Sequence, residues 1–236
     1  MKQILDWLDE RTGWRKLKAA LLDRKIPKGV NWLYTLGSLL AFLFVLQAVT
    51  GILLAMHYSP SPDHAYQSVV YFQNEVFMGR FIRGLHRWGA SAMVLVAFLH
   101  MLRVYFMAAY KHPREATWLS GVALLLVVVG FGFTGYLLPW DQLAIWAITV
   151  GSNMARATPF LGHEGPGQQL LTLGGIDMIT NASDARFGLL GARFVGEETL
   201  NRFYVLHCIA IPLAAALLIA IHFWRVRKDG GISGPL

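Results

Sequence analysis

Residues 82–105 read IRGLHRWGASAMVLVAFLHMLRVY, and the two histidines in this run, His86 and His100, stand fourteen residues apart. At about 100° per residue, that separation brings the second histidine back to within about 40° of the first, roughly 21 Å further along the same helix face. Residues 202–226, RFYVLHCIAIPLAAALLIAIHFWRV, repeat the arrangement with His207 and His222, fifteen apart. Here the offset is about 60° in the opposite sense over roughly 22 Å. Each pair therefore occupies one face of an apolar helix, with its members at two depths.

Both runs belong to a set of four long apolar stretches, at 33–56, 85–109, 118–138 and 203–226. Each has the length needed to cross a hydrocarbon core of about 30 Å. Backbone groups in lipid must be satisfied within the segment, so these stretches are expected as helices. The chain as a whole agrees: 55% of its 236 residues are hydrophobic and only 15% charged, an unusual balance for a soluble domain. The expected fold class is all-α, a bundle of four transmembrane helices.

Fourteen of the 21 Lys and Arg residues lie before the first stretch, at the end of the second and in its following loop, or at the end of the fourth. An even number of spans puts these regions on one side, and the positive-inside rule makes that side cytoplasmic, the n side. Both termini are expected there, and the 139–200 segment on the outer, p side. The second and fourth helices then run parallel from p to n. The net charge of +7 is explained by this topology and needs no nucleic-acid partner. No cleavable signal peptide is visible. Residues 1–28 place Leu5, Leu8, Leu17, Leu21 and Leu22, with Trp7 and Trp14, among basic residues at near-helical spacing. That pattern suits an amphipathic helix on the n-side lipid surface; a cap packed on the bundle is the competing reading. The remaining 29–236 form the bundle domain.

Parallel second and fourth helices bring His86 opposite His207 near the p side and His100 opposite His222 near the n side. Two facing imidazoles at each level are what a six-coordinate haem iron requires, and ionisable side chains at membrane depth are costly enough to be functional suspects. The four histidines are thus candidate axial ligands of two stacked haems. The other four, His57, His64, His112 and His163, fall in loops or at helix ends and need no special account. Gly37 and Gly51 in the first stretch, and Gly121 and Gly135 in the third, repeat the spacing of fourteen. Glycine removes the Cβ that would obstruct a wide porphyrin; close helix packing through small residues is the alternative. Arg83 and Arg87 flank His86, and Arg103 follows His100 by three residues. Each could pair with an anionic haem propionate, or extend to lipid headgroups. Pro212 is expected to bend the fourth helix. The single cysteine, Cys208, excludes an intrachain disulfide and a CxxCH haem attachment.

These residues resemble the cytochrome b6 family, the N-terminal half of the cytochrome b of quinol-oxidising complexes. The resemblance runs through PKGVNWLYTLG at 27–37, IRGLHRWGASAMVL at 82–95, HMLRVY from His100 and HPREATWLSGV from His112. It continues with FTGYLLPWDQ at 133–142, RFYVLH at 202–207 and the closing ISGPL. It implies two non-covalent b haems on the four histidines and a quinol oxidised on the p side, with a quinone reduced on the n side. The implied partners are a three-helix subunit bearing a PEWY motif, a Rieske iron–sulfur protein and a c-type cytochrome, in a homodimeric complex of a bacterial cytoplasmic membrane. The p-side quinol pocket is expected around Tyr136, Leu138, Pro139, Trp140 and Ala147. Asp141 either assists there or caps the helix that follows. Arg24, Lys25 and Arg227 are candidates near the n-side haem, with lipid headgroups as the alternative partner.

Two departures from the family pattern stand out. Chloroplast-type members carry a cysteine that binds a further, covalent haem c; the matching position here is Thr35, which cannot form a thioether. The segment 151–199 is also longer than in that type and carries GHEGPGQQ from Gly162. A docking surface and plain loop elaboration are both open for it. Two other classes of function compete with the quinol-oxidising complex. A dihaem membrane anchor linking a periplasmic dehydrogenase to quinone would lack the PWDQ stretch, and a transporter would bind no haem.

Overall fold

The computed structural model describes residues 2–22 and 30–231. Arg24 and Lys25 lie outside the described residues, as do the side chains of Leu17, Leu21 and Leu22. Four helices are long and apolar enough to cross a membrane: Trp32–Ala55, Gly79–Phe106, Glu115–Leu137 and Glu197–Lys228. The chain is an all-α integral membrane protein.

The N-terminal amphipathic segment is two helices rather than one. α1 (Lys2–Thr12) and α2 (Trp14–Leu22) meet at Gly13, whose φ of 60° interrupts the helix in a region that glycine tolerates. Arg15 ties the two together through an ion pair with Asp6 and a 2.7 Å bond from its amide to Asp9 Oδ1. Asn31 opens the first span by accepting the Leu33 amide at 3.0 Å, capping a 3₁₀ turn at Trp32–Thr35 that runs into α3 (Leu36–Ala55). A short helix α4 (Ala65–Glu75) crosses before α5 (Gly79–Phe106), and α6 (Glu115–Leu137) makes the third span. Asp141 caps α7 (Gln142–Ala155), accepting the Ala144 amide at 2.8 Å.

The segment after α7 then forms a two-residue antiparallel hairpin, β1 (Thr172–Leu173) with β2 (Ile176–Asp177), closed by Gly174 and Gly175 at positive φ. It continues through α8 (Ala185–Leu190) into α9 (Glu197–Val205). The fourth span consists of α9, a π-helical turn at Leu206–Ala210 and α10 (Ile211–Lys228). α5 and α9 begin about two turns earlier than the apolar stretches suggested, because polar residues such as Arg80, Arg83 and Arg202 extend the helices beyond the hydrocarbon.

The π turn explains two features of the fourth span at once. Pro212 has no amide hydrogen to donate to the preceding turn. Just before it, the Ile211 amide bonds back five residues to the Leu206 carbonyl, the widened spacing of a π turn. One inserted residue also makes a separation of fifteen behave like fourteen, so His207 and His222 regain the register of His86 and His100. α3 packs along α5 and α6 along α10, so the histidine helices each lean on a glycine helix. Leu137, Ile148, Leu190 and Phe203 form a buried cluster where α6, α7, α8 and α9 meet, at one end of the bundle.

Candidate haem-binding site

The helix pairing sets one glycine against one histidine four times. A Cβ added at Gly51 would stand 3.2 Å from Cε1 of His86, and one at Gly135 only 2.6 Å from Cε1 of His207. At the other level, Gly37 faces Cε1 of His100 and Gly121 that of His222, each at 3.4 Å. The glycines therefore admit the edges of the imidazole rings. The sequence reading assigned them to the porphyrin face, and the ring contact is an additional reason for their spacing.

Three of the rings are also held by a hydroxyl from the residue before the glycine. Thr50 Oγ1 lies 2.9 Å from His86 Nδ1, Thr134 Oγ1 3.2 Å from His207 Nδ1, and Ser120 Oγ 2.9 Å from His222 Nδ1. The carbonyls of Gln47, Phe131 and Thr117 reach the same three rings. An oxygen at Nδ1 selects the tautomer that leaves Nε2 as the metal ligand. Sequence reasoning missed these hydroxyls, although the dipeptides Thr50–Gly51, Ser120–Gly121 and Thr134–Gly135 display them.

The His86–His207 level has the dimensions of a bis-imidazole site. The ring centroids of His86 and His207 are 6.2 Å apart with planes at 77°. A metal–imidazole bond of about 2 Å puts two trans ring centroids about 6 Å apart. His100 and His222 are near enough to interact electrostatically at the other level. Among the described residues no group of three or more His, Cys, Asp or Glu side chains converges on a point. A level with two imidazoles suits an iron that brings its own equatorial nitrogens, which is what haem does.

The remaining candidates divide. Arg103 is buried, its guanidinium carbon 3.8 Å from the Tyr34 ring centroid, so it does not extend to lipid headgroups. Arg83 donates to Gln73 Oε1 at 2.8 Å, and Arg87 is exposed. Leu138 and Trp140 pack on the apolar cluster around Leu137 and Phe203, while Tyr136 and Ala147 are exposed. Tyr58, which the sequence did not single out, donates to the Leu138 carbonyl at 2.7 Å and stacks on Tyr204 at 5.6 Å. Burial holds its hydroxyl above the ordinary phenol range. Thr35 Oγ donates to the Trp32 carbonyl at 2.6 Å.

His163 also needs an account after all. Its Nδ1 is 2.5 Å from Asp184 Oδ2, and its Nε2 is 3.2 Å from Arg156, which pairs with Glu164 at 2.5 Å. Asp184 is buried and caps α8 through the Phe187 amide at 2.7 Å. Burial pushes its carboxyl up, but the Phe187 amide, His163 and Arg186 outweigh that and hold it below the usual carboxylate range.

An all-helical membrane bundle with two levels of facing histidines, each ring seated on a glycine of the neighbouring helix, is the frame of a membrane cytochrome. The Cytochrome b/b6/petB family model matches residues 21–172. The chain is 40% identical, over the full length of both, to the menaquinol:cytochrome c reductase cytochrome b subunit of Bacillus subtilis (strain 168). It is 38% identical, again over both full lengths, to cytochrome b6 of Synechococcus elongatus. A solved chain of a hyperthermophilic respiratory Complex III superposes with a TM-score of 0.79 at 29% identity, covering 96% of this chain and 55% of that one. The chain belongs to the cytochrome b/b6 family. It is a bc/b6f-type cytochrome b subunit, an electron-transport component of a membrane oxidoreductase complex.

Proposed function

We propose that the chain binds two b haems, one held by His86 and His207 toward the p side and one by His100 and His222 toward the n side. The observation that carries this reading is the His86–His207 centroid separation of 6.2 Å, repeated in pattern by the glycine contacts at the second level. When bound, haem supplies one-electron transfer at its iron. Two histidines at each level would hold the haem between them and leave substrate no place at its iron. Thr50, Thr134 and Ser120 orient the rings, and the glycines let the rings lie against α3 and α6. Arg83, Arg87 and Arg103 are the cations nearest the ligands in sequence and would balance propionates.

In this role the chain conducts electrons from quinol oxidation on the p side to quinone reduction on the n side. The p-side pocket draws on Tyr136, Leu138, Pro139, Trp140 and Ala147, with Tyr58 held against the Leu138 carbonyl. Asp141 serves as a helix cap, and Arg227 remains a candidate at the n-side quinone. A three-helix subunit with a PEWY motif, a Rieske protein and a c-type cytochrome complete a homodimeric complex in a bacterial cytoplasmic membrane, with both termini cytoplasmic. Both b haems are non-covalent, and Thr35 offers no thioether for a further, covalent haem c.

A pyridine haemochrome spectrum of the purified chain before and after acid–acetone extraction tests this. Two extractable b haems per chain are expected. A residue of covalent haem would overturn the Thr35 argument, and absence of haem would overturn the ligand assignment.

A further inference from the structure

The turn Leu138–Asp141, which joins α6 to α7, holds neighbouring residues against their preferences. Leu138 keeps α-helical angles, φ −59° and ψ −33°, although it precedes Pro139, whose ring disfavours that region. Trp140 has a φ of 52°, in the left-handed region that a bulky side chain rarely enters. Such conformations persist only where the surroundings impose them.

The turn is fastened at both ends. At one end Asp141 accepts the Ala144 amide at 2.8 Å. At the other, the Leu138 carbonyl is among those that a helix terminus leaves without an intrahelical donor, and it accepts the Tyr58 hydroxyl at 2.7 Å. Tyr58 is itself anchored. Its ring stacks on Tyr204 of α9 with centroids 5.6 Å apart and planes at 24°. On either side of it, the His57 ring lies 5.3 Å from that of Phe72 in α4, and the Ser59 amide donates to Ser68 Oγ at 3.3 Å. The hydroxyl therefore reaches the turn from a fixed point.

We infer that Tyr58 is a positioning residue for quinol, which holds the Leu138–Trp140 wall of the pocket in shape through the Leu138 carbonyl. This rests on the quinol pocket proposed above. The direction of the Leu138 carbonyl is set by ψ of Leu138, so the Tyr58 bond fixes the angle that Pro139 disfavours. Pro139 has a fixed φ, and a change at Leu138 is passed on to Trp140. Without the hydroxyl, Leu138 is free to go extended and Trp140 to return to negative φ, which carries the indole out of the wall. A wall contact is made alike by bound quinol and by its transition state, so its loss falls on KM and not on kcat.

The test is steady-state oxidation of a short-chain menaquinol by the intact complex, with added cytochrome c as acceptor and rates expressed per b haem. Tyr58→Phe keeps the ring and its stack and removes only the hydroxyl. KM for the menaquinol should rise roughly tenfold, the scale of one lost hydrogen bond, with kcat and the b-haem spectrum unchanged. Tyr204→Leu leaves the hydroxyl and removes the ring that Tyr58 rests on, and should raise KM in the same direction by less. An unchanged KM in Tyr58→Phe would overturn the role of Tyr58, and so would a fall in kcat at constant KM, the mark of a merely structural bond. Failure of the unsubstituted complex to oxidise the menaquinol would overturn the pocket itself and this inference with it.

Discussion

The bundle and the segment between α7 and α9 both contain buried ionisable groups, but they dispose of them differently. In the segment, Asp184, His163, Arg156 and Glu164 bond to one another. Asp184, the buried member, finds its partners within the protein in His163 and the Phe187 amide, which is the condition for burying charge at low cost. In the bundle the histidines face each other in pairs, and three of the four are backed by a hydroxyl at Nδ1. The first arrangement is a closed structural network. The second is organised around a point between two rings, and it makes sense with a metal there. The contrast separates a site that binds from a cluster that braces, although both place histidine beside polar oxygen atoms.

The sharpest way to break that contrast is to push a ring out of its seat. Gly135→Ala would set a methyl 2.6 Å from Cε1 and 3.0 Å from Nδ1 of His207, closer than real Cβ contacts come. The ring would have to leave both the glycine and Thr134. The expected result is a chain with one b haem in place of two, read by haemochrome content, with the surviving haem retaining its spectrum. Two haems with unaltered spectra would show that His207 is not positioned by this contact.

The bundle was readable from sequence because its determinants are periodic. Hydrophobic length marked the spans, and a recurrence of about fourteen residues linked His86 with His100 and Gly37 with Gly51. The fifteen-residue step to His222 was legible as a number but not as a π turn, since the compensation depends on hydrogen bonding around Pro212. The seating hydroxyls were on display in three dipeptides and went unused. Nothing periodic announces the cluster around Asp184: His163 and Asp184 are 21 residues apart in irregular chain, and only folding joins them. Tyr58 is similarly brought to Leu138 across 80 residues.

A smaller effect is expected in the brace. Asp184→Ala removes the cap of α8, worth about 1 kcal/mol, and leaves His163 without its closest partner. The segment around 156–190 should become more susceptible to limited proteolysis, while the complex keeps both haems. Acid should act in the same direction. The Asp184 carboxyl is held below its ordinary value in the folded state, so its contribution is present above the unfolded pKa of about 4 and is lost as pH falls through the lower folded value. Proteolysis at graded pH should therefore show the segment opening at the acid end, and Asp184→Ala should flatten that dependence. Loss of haem from this variant would mean that the segment does more than brace.

The smallest effect is expected at one of the two roomier seats, and it distinguishes two reasons for the glycine period. At Gly37 an added Cβ would lie 3.4 Å from Cε1 of His100, an ordinary contact distance. If the ring alone governs these positions, Gly37→Ala should retain both haems. It should also stabilise α3 by something below about 1 kcal/mol, since alanine is the better helix former. If instead the porphyrin itself comes against α3, the methyl meets a rigid plane that cannot give way, and the n-side haem is lost although the ring is undisturbed. Haem content and thermal stability of Gly37→Ala, compared with Gly135→Ala, thus separate the two causes. Retention at position 37 with loss at position 135 assigns the glycines to the histidines, whereas loss at both assigns them to the cofactor.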